Sequence, residues 1–360
     1  MEDKTSFKTA TITLVSLLAI LATFLNAVCI FVIVTSKKLL QRPSMYLIVN
    51  LLIVHFLQGL VVFPFYAAKK EKFESFKQNQ IICDGFRFSY MVTFYAAIWN
   101  VLLISVDRFL ATWFVMRYRE IVTKNRVIGI IALCWAYVLS LCLIPFNSEE
   151  YIIKQSVSAY NASSDTRNTT VFSKVHAKCR YQQSSLWTTL MLACNCVVPY
   201  VFVVLFYQMI LYQIRKIEGR SRSATTSSSY SVENQTRVEE KRVLSKKTNK
   251  KCEDVEVRKN KKLTYLAMFL SISYFFFWSP SVIYYILWSV CPNTCFSKNY
   301  KTSPEEPYVG FLTKYLAFLD ALAAPLIYCL HHEEFRKIMR QKTGRNKEQR
   351  ELLTESHIAE

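Results

Sequence analysis

The sequence predicts an all-α membrane protein: a bundle of seven transmembrane helices followed by a short amphipathic eighth helix. Three observations carry this. The chain of 360 residues is 52% hydrophobic, and its apolar residues cluster into seven stretches of about 20, the length a helix needs to cross a bilayer core. Basic residues gather at alternate junctions, the bias that turns loops toward the cytoplasm. The stretches do not alternate over about ten residues as barrel strands do. Helices meet the demand that backbone polar groups in lipid be satisfied within the segment.

The expected spans are Ala10–Val34, Met45–Ala68, Phe86–Leu110, Val127–Pro145, Leu186–Leu211, Leu263–Val290 and Val309–Leu330. Residues 1–9 form an outer N-terminus, 10–340 the bundle with its eighth helix, 215–262 a long cytoplasmic third loop, and 341–360 a cytoplasmic tail. The net charge of +19 would suit a nucleic-acid partner, but its distribution excludes that class. Lys37, Lys38 and Arg42 follow span one; Arg117, Arg119, Lys124 and Arg126 follow span three; the basic segment from Arg215 to Lys262 follows span five. These junctions place the N-terminus outside. Lys69, Lys70, Lys72 and Lys77 run against the rule by loading an outer loop, interleaved with Glu71 and Glu74. The glycosylation sequons at Asn161 and Asn168 both fall on the outer side, between spans four and five. No stretch before span one combines a basic flank, a short apolar core and a small-residue site, so that span is expected to serve as its own targeting signal.

The cysteines divide by position. Cys29, Cys134, Cys142, Cys194, Cys196 and Cys329 lie within spans as small core residues. Cys83, Cys179, Cys291 and Cys295 lie at the outer face, where disulfides persist; they are read as the pairs Cys83–Cys179 and Cys291–Cys295. No His and Cys cluster has zinc-ligand spacing, and no metal or cofactor is expected. Ser221 to Ser231 is Ser- and Thr-rich and reads as a disordered, phosphorylatable stretch. In 331–341, Phe335, Ile338 and Met339 recur at helical spacing among basic residues, the pattern of a helix lying along the inner leaflet.

Several residues share a fixed order. Asn26 lies in span one, Cys83 twenty-five residues before Arg108, Trp135 in span four, and Pro199 eight residues before Tyr207 in span five. Trp278 and Pro280 lie in span six, Pro325 and Tyr328 in span seven, and Phe335 follows. In this order and spacing the chain resembles a rhodopsin-like (class A) G-protein-coupled receptor from about residue 10 to 340. The resemblance implies a plasma-membrane receptor with an extracellular N-terminus, coupling to heterotrimeric G proteins and arrestin. It implies roles for Asp107, Arg108, Phe109, Tyr207, Pro325 and Tyr328 in activation and for Trp278 and Pro280 as toggle and kink. Proline removes a helical hydrogen bond and bends the helix, so a ligand that repacks Trp278 would swing the inner end of helix six and bare Arg108.

The chain also departs from that family. The helix-two Asp that binds sodium falls on His55, the helix-three polar partner on Ala97, and the Asn before the helix-seven Pro on Ala324. With three oxygen suppliers missing, no conventional sodium site is expected. His55 and Asp320 are a candidate buried pair; the alternative is a neutral His bonded to backbone or water. Asn260 stands where many relatives carry an acid that locks the helix-three Arg. Without lock or sodium, raised basal activity is expected.

Ligand expectations follow from the outer ends of the spans. The amine-anchoring Asp of monoamine receptors falls on Tyr90, and the retinal Lys of opsins on Phe318. Arg87 and Lys314 with Tyr90 suit a carboxylate or phosphate; the alternative is that both cations snorkel or pair with Glu305 and Glu306. Met191, Asn195, Tyr284, Tyr285 and Trp288 are candidate lining for an aromatic pocket; the alternative for each is a core or lipid-facing position. A transporter would show internal repeats, which the sequence lacks. An enzyme would show a nucleophile, base and orienting group, and none is grouped. A receptor-like protein that acts only as a heteromer partner stays open.

Overall fold

The computed structural model describes residues 2–71, 80–115, 117–144, 190–227, 237–291, 306–341 and 344. Within these, the side chains of 2–5, 80, 81, 83, 218–227, 237–260, 288–290 and 306–308 are not described. The fold is a bundle of seven membrane-length apolar helices, with no strand among the described residues. They are α1 (Glu2–Val34), α2 (Ser44–Glu71), α3 (Gln80–Trp113), α4 (Lys124–Leu143), α5 (Leu190–Ile217, continuing helical to Ser227), α6 (Arg237–Val290) and α7 (Glu306–His331). A short helix α8 covers 333–341.

The outward faces are apolar because lipid is their solvent: Ile20, Phe24, Leu133, Phe276 and Leu312 are all well exposed. Polar residues turn inward instead, and Asn26, His55, Asn100, Asn195 and Asp320 are buried. Proline lies within four of these helices, in α6 as Pro280, and three of them show its effect on the hydrogen-bond ladder. In α2 a π-turn at Gln58–Val62 precedes Pro64, and in α5 another at Ala193–Val197 precedes Pro199. Each occurs where the missing proline N–H unsettles the i→i−4 ladder. In α7, Pro325 cannot donate to the Ala321 carbonyl four residues back. Asn26 of α1 supplies the donor, its Nδ2 lying 2.9 Å from that oxygen and 2.8 Å from Ala22 O. The side chain thus joins α1 to the kink of α7.

Close approach of α1 and α2 depends on Gly59. A Cβ there would lie 2.7 Å from Thr23 Oγ1 and 2.8 Å from Thr23 N, below any real contact. Helix four is peripheral, burying only Val127, Val138 and Cys142. Trp135 Nε1 donates to Asn50 Oδ1 at 2.9 Å and fixes α4 to α2. At the inner end, Phe335 of α8 is fully buried. The helix starts under a side-chain cap, in which His332 Nδ1 accepts from the Phe335 N–H at 3.0 Å.

Candidate functional site

One end of the bundle centres on Arg108, which is 5% exposed. Its Nε donates to Asp107 Oδ2 at 2.9 Å, and its Nη2 is bonded to the same oxygen. The other carboxylate oxygen, Oδ1, accepts from the Tyr118 hydroxyl at 2.6 Å. Tyr118 belongs to a helical turn, Tyr118–Ile121, beyond the end of α3. Burial, and then the charge of Asp107, raise its phenol well above the usual range, so it stays a donor at any physiological pH. The sequence reading missed this residue, since a loop tyrosine carries no motif.

The Asp107–Arg108 pair is closed in by Leu263 and Ala267 of α6, Tyr328 of α7, and Met45 and Ile48 of α2, around a void of about 20 Å³. That volume holds about one water, far less than a partner's helix. Tyr207 is engaged elsewhere: its hydroxyl lies 3.0 Å from Ser271 Oγ. The Ser271 proton goes to Ala267 O at 3.0 Å, so Tyr207 donates and α5 is tied to α6. Phe109 faces outward to α5, 5.2 Å from Phe206. Two ion pairs bring α8 to the rest of this face, Lys262–Glu333 at 2.7 Å and Arg42–Glu334 at 3.0 Å. The bond from Lys262 lowers the Glu333 carboxyl below its ordinary value. Asn260 lies outside the described side chains.

In the middle of the bundle Trp278 is 3% exposed, stacked on Tyr274 and 4.6 Å from the ring of Phe94. Its Nε1 donates to Asp320 Oδ2 at 3.2 Å. His55 Nε2 lies 3.5 Å from that same oxygen, just beyond a normal hydrogen bond. One carboxylate therefore stands between α2, α6 and α7.

Above Trp278 a cavity of about 230 Å³ opens among the outer ends of α2, α3, α5, α6 and α7. Arg87, Tyr90, Met191, Trp278, Tyr285 and Lys314 line it, all expected around a ligand. Two others do not. Asn195 is 1% exposed and accepts from Tyr137 OH at 2.7 Å and Trp99 Nε1 at 3.4 Å, serving the α3–α4–α5 contact. Tyr284 sets its hydroxyl against Gly310 of α7. The Asn195 expectation is corrected: helical rotation places it on the seam between α3, α4 and α5. Trp288 lies outside the described side chains.

The cavity also holds residues the sequence reading left out, chiefly Lys69, Tyr66, Phe86, Phe94 and Ser281. Lys69 was assigned to an outer loop, but α2 runs on to Glu71 and carries Lys69 to the cavity rim. Its Nζ lies 5.2 Å from the centre of the Phe86 ring. Lys314 Nζ lies 5.9 Å from the Tyr66 ring and 5.7 Å from that of Tyr285. Arg87 is paired with Asp84 at 3.1 Å. No Asp or Glu lines the cavity among the described residues. Cys291 is disulfide-bonded. Cys179, Cys295, Asn161 and Asn168, and the side chain of Cys83, lie outside what is described.

A seven-helix membrane bundle with an outer cavity floored by a tryptophan and a buried Asp–Arg pair at its inner end has the build of a membrane receptor, not of an enzyme. Residues 25–328 match the model of the 7 transmembrane receptor (rhodopsin family), and the chain belongs to that family. Similar proteins include dopamine receptor 4 of Caenorhabditis elegans, 32% identical over 108 residues, which are 30% of this chain and 21% of that protein. The 5-hydroxytryptamine receptor 1B of Homo sapiens is 27% identical over 171 residues, 48% of this chain and 43% of that protein. The counterpart in Vulpes vulpes is 29% identical over 167 residues, 46% and 42%. The matches span less than half the length of each of these relatives.

Proposed function

We propose that this chain is a plasma-membrane receptor, N-terminus outside, that couples a small extracellular anion to heterotrimeric G proteins, with arrestin as a second cytoplasmic partner. One observation carries the reading: Trp278 floors the outer cavity and is bonded to Asp320 at mid-bundle. A ligand that repacks the indole is thereby felt at the α6–α7 contact, and a ligand shifts an equilibrium by its differential affinity for the two packings. Opening α6 would expose Arg108, with Tyr207 and Tyr328 supporting it. The names of the similar proteins suggest an amine, but the cavity is lined by Lys69, Arg87 and Lys314 and, among the described residues, by no carboxylate. A cationic ligand meets only like charge there.

Raised basal activity belongs to the same reading. Among the described side chains, the one hydrogen-bonded to Arg108 is Asp107, on its own helix, so none of the described α6 side chains bonds it. The test is ligand-free signalling through a panel of G proteins, native chain against Arg108→Ala, at matched surface expression. A basal signal lost in the variant supports the proposal. Equal signals at mock level in every channel favour a silent heteromer partner.

A further inference from the structure

We propose that the rim of the outer cavity binds the dianionic head of a phosphate monoester whose compact apolar body lies over Trp278. This rests on the reading of the cavity as the ligand site and specifies its ligand class. Three cations reach the rim, and Asp84 already neutralises Arg87 at 3.1 Å. Lys69 and Lys314 remain, neither paired with an acid among the described residues. Aromatic faces partly stabilise them: Phe86 under Lys69, and Tyr66 and Tyr285 under Lys314. A ring quadrupole attracts a cation without cancelling its charge.

Two cations without an acid partner among the described residues call for a ligand with two charges. A carboxylate brings one; a phosphate monoester brings about 1.5 to 2 at pH 7 and presents three acceptor oxygens. Lysine ammonium groups and a guanidinium are the usual donors to such a head. Below the rim the surroundings turn apolar, with Phe94, Met191, Leu192 and Val282 leading down to Trp278. A volume of about 230 Å³ falls under the range of about 300–1,000 Å³ usual for drug-sized ligands, so the body is short. Such an ester can come from a lipid or from a soluble metabolite; the head chemistry is the same.

The test measures binding to the purified full chain in phosphatidylcholine nanodiscs, with no G protein present, so it reads separately from signalling. The probes at pH 7.5 are octyl phosphate, nonanoate, octanol and glycerol phosphate. Octyl phosphate is expected to bind about tenfold or more tighter than nonanoate, and octanol not at all. Lys69→Gln and Lys314→Gln should each weaken octyl phosphate by about ten- to a hundredfold, while Lys69→Arg restores it. Lowering the pH to 5.5 should weaken octyl phosphate about fourfold, following a second phosphate pKa of about 6, and leave nonanoate unchanged. Nonanoate binding as tightly, with Lys69→Gln silent, overturns the dianionic head but not the anionic receptor reading. Octanol binding equally well, or none of the probes binding, overturns both. Glycerol phosphate matching octyl phosphate overturns the apolar body.

Discussion

Tyr118→Phe is the substitution that isolates how the cytoplasmic end is held closed. It removes one atom, the hydroxyl that donates to Asp107 Oδ1 at 2.6 Å, and leaves the ring in place. Hydrogen bonds to charged groups contribute about 1.5 to 3 kcal/mol when buried. Tyr118 is only half-buried and water can replace part of the bond, so a loss of about 1 to 1.5 kcal/mol is the fitting figure. If Asp107 must release Arg108 when α6 moves away, that loss falls on the closed state alone. The closed-to-open ratio then drops roughly five- to tenfold, at 1.4 kcal/mol per decade. Ligand-free G-protein activation at matched surface expression should rise by up to that factor. An unchanged or lowered basal signal, with folding intact, would refute the claim that the Tyr118–Asp107–Arg108 chain holds the closed state.

Other consequences are simpler. Asn26→Ala orphans the Ala321 carbonyl at the Pro325 kink and should cost about 1 to 3 kcal/mol, read as a lower unfolding midpoint in nanodiscs. Gly59→Ala drives a methyl against Thr23 Oγ1 and backbone N and should destabilise by about 1 to 3 kcal/mol; because the backbone atom remains, Thr23→Ala should not rescue it, as surface expression would report. Burial lowers the His332 imidazole from its ordinary 6.5, so the fold favours the neutral ring whose Nδ1 caps α8. That contribution is full above pH 6.5 and is lost as pH falls through the lowered folded value; hydrogen exchange of α8 amides, corrected for intrinsic rate, should show less protection at low pH and no such pH effect in His332→Ala.

The bundle was legible because bilayer thickness imposes one length on every span. Each of the seven expected stretches overlaps its helix, and most ends are displaced by a few residues. But α5 runs on to Ser227 and α6 starts at Arg237, so residues 215–227 and 237–262, expected as third loop, are helical, and the stretch expected to be disordered is helical over 221–227. Those few residues mattered at one place: ending span two at Ala68 made Lys69 a loop residue, whereas one more turn of α2 brings it into the cavity. Arg87, Tyr90 and Lys314 were found from their places on the outer turns of α3 and α7. Asn195 was misplaced because it sits in the π-turn Ala193–Val197, which shifts its rotation and is not written in spacing. The proximity of His55 and Asp320 was legible from one departure in helix two and an acid about a turn and a half before Pro325 in helix seven, while the indole of Trp278 on the same carboxylate required coordinates. The Tyr118 bond and the His332 cap had no sequence signal, since both depend on where a turn ends.

The most direct test of the central claim is nucleotide exchange on purified heterotrimeric G proteins by the purified chain in nanodiscs. The account predicts that the native chain accelerates exchange on at least one G protein without ligand, that Tyr118→Phe does so faster, and that Arg108→Ala does not. Exchange at the receptor-free rate for all G proteins with the native chain and Tyr118→Phe alike, or acceleration that survives Arg108→Ala, would contradict it.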